Sequence, residues 1–311
     1  MREPQIKNLP ASIRQKLFNL AQQQNDDFGL ILTKYGLERI LFRLSKSKYR
    51  EVFVLKGALL FEIWTKERHR PTRDADFLAT GDNSPARFVQ IFQELCEFDF
   101  PDDALRFDPK PVQAEKIKED ADYEGVRVTF TAFLEKAQIP IQIDIGFGDA
   151  VTPDPLETDY PTLLDLPGAN LLTYPPETVV SEKLEAIVKL GMANTRMKDF
   201  HDLHTIAATF KFDGQILAKA VLATFNQRGT KLPAGGVPIA FTSEFYADTN
   251  KVKQWNAFCN KNKTYVPQIE LKSIVNELES FLVPVLIAAQ MGEELRTIWT
   301  PADHWRPKPG S

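Results

Sequence analysis

The order of apolar and polar positions divides the chain into helical ends and a strand-rich middle. In Pro10–Gln24, Ile13, Leu17, Leu20 and Ala21 recur at helical spacing. In Asp26–Ser45 the positions Leu30, Ile31, Leu37, Ile40, Leu41 and Leu44 do the same. The texture changes at Glu51: Val52-Phe53-Val54-Leu55 reads as a short strand, Lys56-Gly57 stops it, and Ala58–Thr65 resumes a helical pattern. A basic loop, Lys66–Arg73, leads into Asp74–Thr80, where acids alternate with apolar residues as on a strand. Ala86–Glu97 predicts an amphipathic helix, and Ala104–Phe107, Gly125–Leu134 and Ile139–Gly146 predict strands. Ile139, Ile141, Ile143 and Ile145 line one face of the last of these, so Gln142 and Asp144 share the other.

From Pro175 onward the helical period returns over Glu177–Leu190, Arg196–Thr209, Gln215–Phe225, Ser243–Cys259 and Ile269–Gln290. The predicted fold class is therefore α+β, a mixed sheet with flanking helices and a helical C-terminal part. The predicted organisation is N-terminal helices over 1–50, a sheet core over 51–152 and a proline-rich connection over 153–176. A helical domain follows over 177–295, and then a Trp- and Pro-containing tail over 296–311 that packs late or not at all.

Charge changes the picture only locally. Lys and Arg number 38 against 42 Asp and Glu, a formal net charge of −4, so a generally basic, nucleic-acid-coating surface is excluded. Basic patches remain at Lys46, Lys48 and Arg50, at Arg68, Arg70 and Arg73, and at Lys251, Lys253, Lys261 and Lys263 among Trp255, Phe258 and Tyr265. Such patches could track a phosphate backbone; the plainer account is solvated helix faces and loops. The two cysteines, Cys96 and Cys259, have no metal or redox spacing. Met1-Arg2-Glu3-Pro4 opens no apolar signal core, and no run approaches the roughly 20 apolar residues of a membrane span. A cytoplasmic protein without membrane partners is expected.

The chemistry-bearing constellation is acidic. Asp74 and Asp76, at i and i+2 on a strand, project side by side, and an adjacent strand carrying Asp144 would bring three carboxylates together. Hard oxygen ligands of this kind suit Mg²⁺, with Mn²⁺ as its substitute. Upstream, Lys56-Gly57-Ala58 ends a strand and opens a helix, placing backbone amides where phosphate oxygens could lie. Further on, Glu182-Lys183-Leu184 and Arg196-x-Lys198-Asp199-x2-Asp202 lie on predicted helices, where Asp199 and Asp202 share a face. Lys198 and Asp202 could be an ordinary surface pair, and His201 and His204 read as non-ligands.

Phe53-Val54-Leu55-Lys56-Gly57-Ala58-x-Leu60 followed by Arg70-x-Thr72-x-Asp74-x-Asp76-Phe77 resembles the first motif of the AbiEii-type nucleotidyltransferases, toxins of bacterial toxin–antitoxin and phage-abortive systems related to the MenT toxins. Pro176-Glu177-x4-Glu182-Lys183-Leu184 and Arg196-x-Lys198-Asp199-x2-Asp202-Leu203 resemble that family's downstream motifs, so the likeness spans roughly residues 35 to 290. It implies a DNA-polymerase-β-like core over 51–152. Asp74 and Asp76 would be the metal-binding acids, Asp144 the third carboxylate and Lys183 a holder of nucleotide phosphates. Asp199 would be the downstream acid needed for activity. Lys56, Gly57, Ala58, Arg70, Thr72, Arg196 and Asp202 would complete the nucleotide site. The family commonly has Gly-Gly-Thr or Gly-Ser where this chain has Gly57-Ala58-Leu59, so phosphate contacts there must come from backbone amides. The implied reaction moves a nucleoside monophosphate from an NTP to an acceptor hydroxyl, with RNA, and tRNA 3′ ends, the suggested acceptor. The implied partner is a cognate antitoxin, often a DNA-binding repressor. A small-molecule or protein hydroxyl as acceptor, and a non-catalytic nucleotide-binding relative, are the alternatives.

Overall fold

The structure is a computed structural model that describes residues 8–65, 68–120, 123–234 and 237–308. Parts of the predicted N-terminal helices (1–7), of the basic loop (66–67) and of the tail (309–311) lie outside the described residues. The chain forms two compact units. The first takes the residues up to Ile63, Pro71–Gly148 and Leu156–Thr173; the second takes Trp64–Arg70, Asp149–Pro155 and the residues from Tyr174 onward.

The first unit begins with α1 (Leu9–Gln24) and α2 (Phe28–Ser45), capped by Asn8 and Asp27, whose side-chain oxygens accept from the amides of Ala11 and Leu30. Then come β1 (Phe53–Lys56), a 3-10 turn at Gly57–Leu59, the five-residue α3 (Leu60–Trp64, which crosses into the second unit at its last residue), β2 (Asp74–Ala79) and α4 (Pro85–Cys96). The remaining strands are β3 (Arg106–Phe107), β4 (Gln113–Asp120), β5 (Tyr123–Leu134), β6 (Ala137–Phe147), β7 (Leu156–Asp159) and β8 (Asn170–Thr173). Among the described residues they make one eight-stranded sheet in the order β3-β5-β6-β2-β1-β8-β7, with β4 also on the outer edge of β5. The sheet is mixed: β2 runs parallel to β6 and β1 parallel to β8, and the other pairs are antiparallel.

Period-2 patterning decides which face is covered. Ile139, Ile141, Ile143 and Ile145 are buried, and α2 packs on β6 at Gly36, where an added Cβ would lie 2.7 Å from Ile141 Cδ1 and 3.1 Å from Ile139 Cγ2. Glycine at 36 is thus what lets the helix come down onto the isoleucine face. On α4, Phe88 and Phe92 meet Phe53 at ring-centroid distances of 6.1 Å, and Phe92 meets Phe130 at 5.7 Å. With both helices on this face, the alternate positions of β1, β2, β4, β5 and β6 point to the other side of the sheet.

A buried ionic set ties α2 to the loop before β3: Arg43 Nη1 donates to Asp103 Oδ2 at 2.6 Å, and Tyr35 Oη to the Asp103 carbonyl at 2.8 Å. Burial pushes the neighbouring Glu38 carboxyl up to about 7. Its Oε2 accepts from the Leu163 amide at 2.7 Å.

The second unit is helical: α5 (Pro176–Leu190), α6 (Met197–Thr209), the two-residue β9 (Phe212–Asp213), α7 (Gly214–Gln227), α8 (Ser243–Tyr246), α9 (Thr249–Lys261) and α10 (Leu271–Met291). α10 is long and apolar enough to cross a membrane, and half of that stretch is buried within the fold, including Phe281, Leu282, Val285 and Leu286. The hairpin β10 (Thr297–Thr300) and β11 (His304–Pro307) closes the unit, β10 pairing with β9.

Two expectations are corrected. Residues 153–176 are not merely a connection: 156–173 add β7 and β8 to the sheet, and Leu171 and Thr173 are buried there. The C-terminal residues are not a late-packing tail, because Trp299 is buried, donates to the Ala207 carbonyl at 2.8 Å and meets the Phe281 ring at a tilt, 4.7 Å between centroids. Two large aromatic rings supply enough apolar area to hold so short a hairpin in place.

Candidate active site

On the face of the first unit's sheet opposite α2 and α4, strand register lines polar residues up in two rows. Lys56 stands opposite Asp76, Asp76 beside Asp144, Asp144 opposite Arg127 and Arg127 opposite Glu115. The next row runs Asp74, Gln142, Thr129 and Gln113. The three acids expected from the sequence therefore meet on adjacent strands of a single face. Directly opposed or neighbouring carboxylates repel, so a row of this kind is stable only with cationic company.

Part of that company is Arg127. Its Nε and Nη2 donate to Asp144 Oδ1 and Oδ2 at 2.8 and 2.7 Å, a bidentate fork. The hydrogen bond to Asp144 holds its guanidinium above the ordinary arginine range, with Asp74 adding to the attraction. Gln142 Nε2 also donates to Asp144, at 3.2 Å to Oδ2, and Thr72 Oγ1 donates to Asp74 Oδ1. The row fits a divalent cation on its chemistry, with hard oxygens on adjacent strands and a guanidinium drawn to one of them, although its three carboxylates are not gathered as a ligand set while Arg127 holds Asp144. Recruiting Asp144 to such an ion requires Arg127 to swing away, which its 36% exposed side chain permits.

Gly57 turns the chain out of β1 with φ +74°, in the region that favours glycine, and an added Cβ would lie 2.7 Å from Asp76 Cγ. The carboxylate is seated against the glycine. Gly57→Ala is expected to push Asp76 off its position and lower turnover at least about tenfold, while thermal unfolding shifts by only about 1–2 kcal/mol. Steady-state kinetics beside calorimetry check this. The helix expected after Gly57 is a 3-10 turn followed by five α-helical residues, so what it offers phosphate is the turn's own amides rather than a long helix dipole.

The second unit holds a separate buried cluster. Lys183 on α5 donates Nζ to Asp199 Oδ1 and to Asp202 Oδ2, both at 2.8 Å, and both acids on α6 are fully buried. Arg70 forks onto Asp202 at 2.8 and 2.6 Å, and Arg196 Nε reaches Asp199 Oδ2 at 2.6 Å. Burial alone would lower the Lys183 ammonium, but Asp199 and Asp202 outweigh it and hold it above the ordinary lysine range. Burial alone would raise the two carboxyls, and Lys183, with Arg196 on one and Arg70 on the other, holds both below theirs. Lys198 is exposed, and Asp202 takes Lys183 and Arg70 instead of forming the surface pair that spacing suggested.

His69, His201 and Asp202 also converge, with ligand atoms within 4.8 Å of one another. Burial depresses His69, so the neutral ring donates Nε2–H to Asp202 Oδ1 at 3.0 Å. Two cations already occupy this carboxylate, which disfavours a further divalent ion there.

Sequence spacing brought out the acids, Gly57, Lys183 and the Asp199/Asp202 pair. It missed Arg127 and Gln142, although a signal existed: Arg127 and Asp144 lie at equal distances before and after the Glu135-Lys136 turn, hence opposite each other in a hairpin. Nothing in the sequence pointed to His69. The basic patch around Trp255 is corrected, because Lys251 and Trp255 are buried and donate to the Asn194 and Ile269 carbonyls. Of the first patch, Lys48 is paired with Glu94 and Arg50 with Glu157.

Residues 39–281 match the family model described as "Nucleotidyl transferase AbiEii toxin, Type IV TA system". No curated protein matches the chain. Among solved structures the chain is similar to JHP933 from Helicobacter pylori, with TM-score 0.48 and 14% identity over 86% of this chain and 94% of that one. It is also similar to a candidate nucleotidyltransferase from H. pylori, with TM-score 0.44 and 13% identity over 82% and 91%.

Proposed function

The chain belongs to the AbiEii nucleotidyl transferase toxin family, and from that premise we propose that it transfers a nucleoside monophosphate from an NTP to a 3′-terminal hydroxyl of RNA, tRNA being the foremost acceptor, in a Mg²⁺-dependent reaction. It is a nucleotidyltransferase, and its cognate antitoxin follows from the same family; a DNA-binding repressor is the form we propose for that partner.

One observation carries the reading: Asp74, Asp76 and Asp144 share one sheet face, with Asp76 seated against the positive-φ turn at Gly57. Asp74 and Asp76 would hold the metal, with Asp144 joining when Arg127 releases it. Bound there, a divalent ion supplies charge neutralisation for the triphosphate and lowers the pKa of the attacking hydroxyl. Thr72, by its hydrogen bond, keeps the Asp74 carboxylate oriented. The Gly57-Ala58-Leu59 amides are the contacts available to phosphate oxygens from the β1 side. Asp144, once released by Arg127, would take the proton as the acceptor oxygen bonds to the α-phosphorus. The bond from that phosphorus to its bridging oxygen breaks, and pyrophosphate departs. Arg127 is then free to return. In the second unit, Asp199 and Asp202 hold Lys183 in position. Preorganised charge of this kind, rather than covalent chemistry, dominates phosphoryl transfer.

The test is incubation of the purified chain with each α-³²P-labelled NTP, Mg²⁺ and bulk tRNA. Label that becomes acid-precipitable and is released by ribonuclease is expected. Label released only by protease, or confined to small molecules, rejects RNA as the acceptor; no incorporation with any NTP rejects the reaction.

A further inference from the structure

Next to Asp74, around the β4–β6 part of the sheet, lies a groove of about 380 Å³ lined by Arg73, Gln113, Thr129, Thr131 and Gln142 and by Thr33 of α2, with Pro111, Phe130, Pro140 and Ile141 among its walls. Every one of these residues belongs to the first unit. Its volume falls in the range of about 300–1,000 Å³ typical of ligand sites. The register explains its position: Gln113, Thr129 and Gln142 form the row that ends at Asp74, and Thr131 faces Pro140 one step along.

The lining is unusual in what it leaves uncommitted. Among the described residues, the side chains of Gln113, Thr129, Thr131 and Arg73 make no hydrogen bond or ion pair, whereas Gln142 is engaged with Asp144. Two hydroxyls and an amide in fixed cross-strand positions, with proline walls, suit a flat, neutral, hydrogen-bonding group. They do not suit a bare triphosphate: beside three nearby carboxylates one guanidinium matches the single charge of a phosphodiester, not the several charges of a triphosphate. Nor do they suit an apolar ligand, which would strand the hydroxyls without partners.

We infer that this groove is the acceptor subsite. It takes the terminal nucleoside of the RNA strand, with Thr129, Thr131 and Gln113 hydrogen-bonding its base or ribose and Arg73 meeting the phosphodiester before it. The acceptor hydroxyl then reaches the acids from the β6 side, opposite the Gly57 turn on the β1 side. This inference rests on the functional reading above, since it presupposes an RNA acceptor.

The test uses the full chain and a short single-stranded RNA with a free 3′ hydroxyl, labelled at its 5′ end for fluorescence anisotropy, with each Mg·NTP titrated separately. Thr129→Val with Thr131→Val keeps shape and strand preference and is expected to weaken RNA binding about tenfold while leaving NTP binding unchanged. Arg73→Gln is expected to weaken RNA binding and flatten its salt dependence by about one unit of slope. Asp74→Ala serves as the control that loses transfer and keeps RNA binding. If the wild type binds no RNA, or the valine variant loses NTP affinity in place of RNA affinity, the assignment is overturned. If the wild type binds RNA through these residues and transfers nothing to it, the groove stands and the proposed reaction fails.

Discussion

Asp76→Asn is expected to reduce NMP transfer by at least about 10²–10³-fold, the scale of loss when one preorganised charge-stabilising group is removed from an enzyme active site. The asparagine has the shape of the aspartate, so the contact with Gly57, where even an added methyl would reach within 2.7 Å of Cγ, is preserved. What disappears is a negative charge between Asp144 on the parallel neighbour and Lys56 on the antiparallel one. Without it Asp74 is left as the one acid of β2, and a hard divalent ion loses a first ligand that no amide oxygen replaces in charge. The fold is expected to tolerate the change with a modestly lower melting temperature, because relief of the repulsion with Asp144 is set against the loss of a charge beside the buried Lys56. That combination separates a catalytic acid from a structural one. Undiminished incorporation of labelled NTP by the folded variant would reject this face as the reaction centre.

The acids were legible because strands report their faces in sequence: D-x-D on a strand and isoleucines alternating with Asp144 allow only one outcome once the strands are paired. Pairing itself was not legible. β2 runs parallel to β6, and parallel neighbours are set by crossover connections that leave no local signature. The same limit hid β7 and β8, short strands between prolines: β8 pairs with β1, more than a hundred residues earlier, and β7 is added on β8. The Arg70–Asp202 fork was beyond spacing arguments for a like reason, since its halves come from segments far apart in the chain. Local periodicity also overran one boundary: the single helix expected over Ser243–Cys259 is two, α8 and α9, because the Asp248 side chain caps a new start by accepting from the amides of Asn250 and Lys251.

Lys183→Met is expected to cost about 2–4 kcal/mol of stability in the second unit, since it leaves two fully buried carboxylates short of a shared cation. The cost stays below that of an isolated buried charge because Arg70 remains on Asp202 and Arg196 on Asp199. The pH dependence follows from the direction of the shifts. Asp199 and Asp202 are held below the ordinary carboxyl value, so their contribution is fully present above about pH 4, where the unfolded groups ionise, and is lost as pH falls through the lower folded values. Removing the ammonium lifts both folded values toward or past the unfolded ones, so the acid side of the stability profile should move to higher pH. Urea unfolding followed between pH 3 and 7 reads both effects, and Asp199→Asn in the Lys183→Met background is expected to recover part of the loss by removing one of the carboxylates left short of a cation. A Lys183→Met chain with unchanged stability, and an unchanged acid limb, would show that the ammonium does not hold these acids. Lys183→Arg keeps the charge but spreads it over a planar fork, so it is expected to preserve more stability than methionine in the same urea series.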